Sequence, residues 1–116
     1  MKSFFIDVVK QEITEVETDG LKSYYDLIGC ELVECSPLMS ETGDCAFVDE
    51  EGLLKPIQGG WWFPTFPTPL VGNAVVIGCD YETGETIPPV TMTLELLKSK
   101  VRFFTINELM TFAQNM

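Results

Sequence analysis

The sequence predicts an α+β fold: a small, mostly antiparallel sheet with two or three short helices and one long Pro/Gly/aromatic loop, in a single domain over residues 1–116. Three observations predict it. Short segments rich in β-branched and aromatic residues recur along the chain. A few segments place apolar residues at helical spacing instead. Between them, residues 59–69, "GGWWFPTFPTP", gather both tryptophans, two phenylalanines and three prolines. A chain of 116 residues buries roughly two-thirds of the surface it exposes when unfolded, so two independent cores are not expected.

Residues 3–10 open with Phe, Ile and Val and read as a strand. Residues 11–17 alternate Ile and Val with acids at period two, the pattern of a strand with one wet face. Asp19-Gly20 ends it. Residues 21–28 carry apolar side chains at 21, 24, 25 and 28, one helical face, with Gly29 as the stop. Residues 30–35 and 45–49 read as two short strands, paired antiparallel across a connection at residues 37–44.

From Gly52 to Gly72 eight residues are Gly or Pro and periodicity is lost, so the segment reads as one irregular excursion without a central strand. Residues 74–79, "AVVIGC", form a nearly continuous apolar run and are the expected central strand. Gly84 supplies a turn. Thr91 or Thr93 is expected to cap a short helix through Lys98, with Leu94, Leu97 and Val101 along one face. A strand follows near residues 101–105. A terminal helix over residues 105–114 is expected to turn Ile106, Leu109, Met110 and Ala113 toward the core.

Eighteen Asp and Glu against seven Lys and Arg, with no His, give a formal net charge of -11. Such a surface repels phosphate backbones and anionic membranes and attracts basic protein surfaces. Direct nucleic-acid binding and membrane association are therefore not expected. The dispersed acids serve either as a solubilising shell or as a mimic of a phosphate backbone. No apolar run approaches the roughly 18 residues of a membrane span. The four cysteines, Cys30, Cys35, Cys45 and Cys79, lack a CxxC pair, and no export signal is read in front of them; they are expected to be reduced, buried side chains of a cytoplasmic protein.

Without histidine, His-based triads and His-ligated zinc are unavailable to this chain. No P-loop or dinucleotide fingerprint is present. No cofactor and no enzymatic activity are expected; an acid-only metal-dependent enzyme stands third among the readings. Asp49, Glu50 and Glu51 sit beside a turn, either as a solvated cluster or as a divalent-cation site, although the full oxygen-rich pattern of a calcium loop is missing; in the binding reading they steer a basic partner. Lys98, Lys100 and Arg102 are three of the chain's seven cations, and in a strand starting near residue 100 the last two would share a face. They either balance nearby acids or meet a small anionic ligand such as a nucleotide.

Trp61, Trp62, Phe63 and Phe66 each cover on the order of 150–250 Å² when buried, too much apolar area to leave in water. Neighbouring tryptophans in extended backbone point opposite ways. One faces the core, and the other needs a lid, a ligand or a partner; at least one of the two is expected to cross an interface.

"LIGCELVECSPL" at residues 27–38, "CAFVDEEGLLKPI" at 45–57 and "LVGNAVVIGCD" at 70–80 resemble a family of small domains of unknown function found in phages, plasmids and other mobile elements, some encoded near antirestriction genes. The match runs through Asp49-Glu50-Glu51-Gly52-Leu53-Leu54 and the terminal Thr105-Ile106-Asn107-Glu108-Leu109-Met110. The Trp-Trp-Phe-Pro segment departs from that pattern. The resemblance implies a cytoplasmic accessory protein of a mobile element and transfers no catalytic residues. The resulting expectation is a non-enzymatic phage-type protein, itself a homo-oligomer, that inhibits a host defence protein through Trp61, Trp62, Phe63 and Phe66 and the acids Asp49, Glu50 and Glu51. The alternative is sequestration of an anionic signalling nucleotide by Lys98, Lys100 and Arg102.

Overall fold

The apolar run at residues 74–79 becomes the middle of the molecule. A computed structural model describes residues 1–38 and 43–114, and in it Ala74–Cys79 (β7) lies at the centre of a six-stranded antiparallel sheet. On one side β7 pairs Asp44–Asp49 (β4), which in turn pairs Val33–Pro37 (β3) at the edge. On the other side it pairs Lys2–Asp7 (β1) along residues 74–76 and Thr86–Ile87 (β8) along residues 78–79. Glu12–Glu17 (β2) closes that edge as the hairpin partner of β1. The connection expected over residues 37–44 includes 39–42, which lie outside the described residues.

Residues 74–78 of β7 are all buried because both faces of the sheet are covered. Ala74 and Val76 share one face with Phe4, Ile6, Ala46 and Val48; Val75 and Ile77 share the other with Cys45. The helix Gly20–Ile28 (α1) packs Tyr24 and Ile28 on the second face and stops at Gly29, whose φ of 81° needs a residue without a Cβ. The single core expected of this length is thus divided by the sheet into two apolar layers.

The first face is covered by a second, smaller sheet, which is where expectation and structure part. Within the supposed excursion lie Gly60–Trp62 (β5) and Leu70–Val71 (β6), and β5 is the central strand of a three-stranded sheet, flanked by β6 and Arg102–Phe104 (β9). The prolines follow β5 without entering it, so they shorten the strand instead of forbidding it. Two helices complete this half. Leu94–Lys100 (α2) is capped by the Thr93 hydroxyl, which accepts from Leu96 N–H at 3.1 Å, and buries Leu97. Ile106–Gln114 (α3) follows β9.

Two other expectations need correction. In α3 the residues turned toward the body are Leu109 and Phe112, while Ile106 and Met110 are 44% and 56% exposed and Ala113 is exposed as well. The reason is local: a Cβ on Gly60 would lie 3.1 Å from both Leu109 methyls, and Phe112 meets the Phe104 ring edge-on at 6.3 Å, so this stripe is the one that fits. Among the cysteines, all free, only Cys45 is buried; Cys35, on the edge strand, is exposed.

Asp44 joins the two halves. Fully buried, its carboxylate accepts the backbone N–H groups of Val90, Thr91 and Met92 at 2.7, 2.8 and 2.7 Å. These bonds fasten the approach to α2 onto the start of β4, and a buried anion is tolerated because donors replace its water. No helix among the described residues is long and apolar enough to cross a membrane.

Candidate functional site

Alternation along β5 answers what the two tryptophans do. Trp61 is 0% exposed and lies in the core with Phe63, Leu97 and the sheet residues Phe4 and Val76. Trp62 points the other way. It lies opposite Arg102 in β9 and half-buried at the surface, on the side of the small sheet where α3 lies.

The loop that follows is fastened rather than slack. Trp62 Nε1–H donates to the Phe66 carbonyl at 3.0 Å, Phe66 N–H to the Phe63 carbonyl at 2.9 Å, and the Thr65 hydroxyl to the Leu38 carbonyl at 2.7 Å. Phe66 thereby touches two environments. Its ring meets Trp61 at 5.3 Å and Phe63 at 5.9 Å, and it also forms part of an open hollow of about 760 Å³.

That hollow is the candidate site. One wall is the aromatic-proline loop, with Trp62, Phe66, Pro67 and Pro69; its floor is Arg102 and Phe104 of β9; its far wall is α3, through Asn107, Glu108, Thr111 and Phe112. The Arg102 guanidinium sits 4.8 Å from the Phe104 ring centre, a cation–π geometry. Among the described residues no carboxylate pairs with Arg102. Glu108 is committed elsewhere. Its carboxylate accepts from Thr105 N–H at 3.0 Å while the Thr105 hydroxyl accepts from Glu108 N–H at 3.2 Å, a reciprocal cap on α3. The bond from the Thr105 backbone, more than the nearby Arg102 charge, holds its carboxyl below the usual range.

The residues singled out in the sequence fall into three places. Trp61 and Phe63 are core side chains, whereas Trp62 and Phe66 line the hollow. Arg102 reaches it too, but Lys98 lines a different hollow with Ile13 and Phe103, and Lys100 lines neither. Lys100 ends α2 and so does not share a strand face with Arg102. The acids stand apart again. Asp49 is clasped by Lys55 Nζ at 2.9 Å and accepts Glu51 N–H at 2.9 Å, in a hollow that shares no residue with the first; Glu50 is exposed and Glu51 half-buried. Phe104, Asn107, Thr111 and Phe112 were not signalled as site residues. The available clue was Thr105-x-x-Glu108 placing a capped amphipathic helix directly after an Arg-Phe-Phe strand.

In the hollow the Thr111 hydroxyl donates to the Asn107 carbonyl at 3.0 Å, and no cluster of three or more metal-ligating side chains is gathered among the described residues. What the arrangement can do is bind: aromatic walls for a flat or apolar group, and a guanidinium for a carboxylate or phosphate. A family of domains of unknown function, DUF3846, matches residues 1–99. The chain belongs to this family. No curated protein and no solved structure matches it. The DUF3846 match ends before β9 and α3, so four of the ten residues lining the candidate site come from the matched region and six from the segment after it.

Proposed function

We propose that this DUF3846 domain is a non-enzymatic binding protein that grips a second protein through the hollow between the aromatic-proline loop, β9 and α3. The observation that carries this reading is the outward Trp62, set with Phe66 and Phe112 around an Arg102 that has no carboxylate partner among the described residues. Aromatic residues and arginine are enriched among the residues that dominate binding energy at protein interfaces, and an open hollow accepts a protruding side chain better than it encloses a small molecule. The net charge of -11 favours a partner that is basic around the contact and presents a carboxylate to Arg102. The resemblance to mobile-element proteins supports a bacterial host protein as that partner and inhibition as the outcome.

A second reading rests on Arg102 lying against Phe104: a small anionic ligand with a planar ring, such as a nucleotide, would stack on the aromatics and place its phosphate on the guanidinium. One experiment separates the two. Wild type, Trp62→Ala and Arg102→Glu proteins are incubated with host-cell lysate, recovered, and analysed for bound protein and for small molecules released on denaturation. A stoichiometric protein held by wild type and lost from both variants supports the first reading. A released nucleotide supports the second. Retention of the same partner by both folded variants removes the site assignment, and a dimer seen by sedimentation of wild type and lost in Trp62→Ala would show that a second copy covers Trp62.

A further inference from the structure

We propose that the turn carrying Leu53 and Leu54, with the acids around it, is a second docking surface that takes a basic amphipathic helix of another protein. The two leucines are the reason to look here. They stand on the single 3₁₀ turn Gly52–Leu54 at 78% and 82% exposed, more than any other large apolar side chain among the described residues. Ile57, three residues on, and Leu32, whose carbonyl accepts Glu50 N–H at 3.1 Å, are exposed as well. A lone leucine on a surface is ordinary, but apolar side chains gathered around one turn form a patch. Gly52 and Lys55, which bracket the leucines, both line the hollow of about 450 Å³ that holds Asp49, and its apolar walls include Val8, Leu27, Ile28, Ile57 and Val71. A helix laid along the turn covers the leucines with its apolar stripe and sets one apolar side chain into that hollow.

Charge selects the occupant. Between Lys22 and Lys55 the sequence has eight acids and no Lys or Arg. Glu51 and Lys55, on either side of the turn, border a neighbouring hollow with Asp26 and Glu31. Lys55 is held by Asp49 at 2.9 Å, whereas Glu31, Glu50 and Glu51 pair with no cation among the described residues. Gly29, at the carbonyl end of α1, lines both hollows and adds partial negative charge. Lys or Arg flanking an apolar stripe is therefore attracted. A second copy of this chain would set acids against acids, and nucleic acid or an anionic bilayer would be repelled. All of these residues lie within the DUF3846 match and none lines the Trp62 hollow, so the two surfaces stand or fall separately.

The test titrates the ¹⁵N-labelled full chain with a synthetic peptide of about 18 residues that places leucines on one helical face and lysines on the other. The expected result is saturable binding that weakens as salt is raised, with amide shifts centred on residues 29–32 and 49–58. The double variant Leu53→Ser/Leu54→Ser, folded by circular dichroism, should bind at least about tenfold more weakly, and Glu50→Lys/Glu51→Lys should do the same and flatten the salt dependence. The same leucines and lysines scrambled so that no apolar face forms should also bind at least about tenfold more weakly, which separates docking from bulk charge attraction. Absence of binding, shifts centred on the Trp62 hollow, equal affinity for the scrambled peptide, or unchanged affinity in the leucine variant would each overturn the proposal. So would self-association of wild type that the leucine variant abolishes, because the occupant would then be a second copy.

Discussion

The large sheet and the small one are stabilised in different ways. The central strand of the large sheet, β7, has apolar layers on both faces and paired strands on both edges. The small sheet buries its inner face, Trp61 and Phe103 among it, but its outer face is met by α3, a helix with no buried residue. A single strand thereby meets two surroundings: what β5 turns inward, Trp61, lies in the core, and what it turns outward, Trp62, stays half-buried at the surface. The contrast can be broken or sharpened by substitution.

The largest effect should come from Trp61→Ala, at about 4 kcal/mol of unfolding free energy in urea denaturation. Trp61→Phe should cost no more than about 2 kcal/mol, because the buried Trp61 Nε1–H has no acceptor among the described residues and its removal relieves an unpaired donor. Equal costs for Trp61→Ala and Trp62→Ala would erase the distinction between the two faces. Asp44→Ala should follow at about 3 kcal/mol, since three backbone donors lose their acceptor in a buried place, with Asp44→Asn intermediate.

Trp62→Ala should cost only about 1 kcal/mol in the same denaturation assay while abolishing partner retention, the reverse of the pattern at Trp61. Thr105→Ala, which removes one half of the α3 cap, should weaken that helix by about 1 kcal/mol. Amide exchange is the decisive readout, because faster exchange should be confined to α3 while β7 keeps its protection. The smallest effect concerns acid. A Glu108 carboxyl held below its ordinary pKa stabilises α3 above the usual carboxylate range, and that contribution is lost as pH falls through its lowered value. The α3 amide shifts, followed by NMR from neutral pH downward, should show this step, and Glu108→Gln should flatten it.

These contrasts also explain what could be read from the sequence. The strand at β7 was legible as a continuous apolar run, and β2 and α1 by their periodic apolar patterns, with Gly29 closing α1 as read; β1 instead ends at Asp7, whose carboxylate accepts from Val9 and Lys10 N–H, short of the strand read to residue 10. The strand β5 was not. Three residues, Gly60 to Trp62, are too few to display a period, and the neighbouring prolines mask them. The inward stripe of α3 was misread because Ile106 and Met110 are as apolar as Leu109 and Phe112, and periodicity cannot tell which of two apolar stripes meets a glycine in another element. Of the candidate site, Trp62, Phe66 and Arg102 were visible as residue types, but their meeting depends on β5 pairing with β9, which is a matter of register.

Two consecutive indoles on opposite faces of one short strand also give the molecule two separate optical signals. Trp61, enclosed in hydrocarbon with no acceptor for its Nε1–H among the described residues, should emit toward the blue and change only when the chain unfolds. Trp62, half in water and bonded to a carbonyl, should emit farther to the red and be the one that a bound molecule brightens or quenches. Unfolding and occupancy can then be followed in one sample, at two wavelengths, without attaching a label.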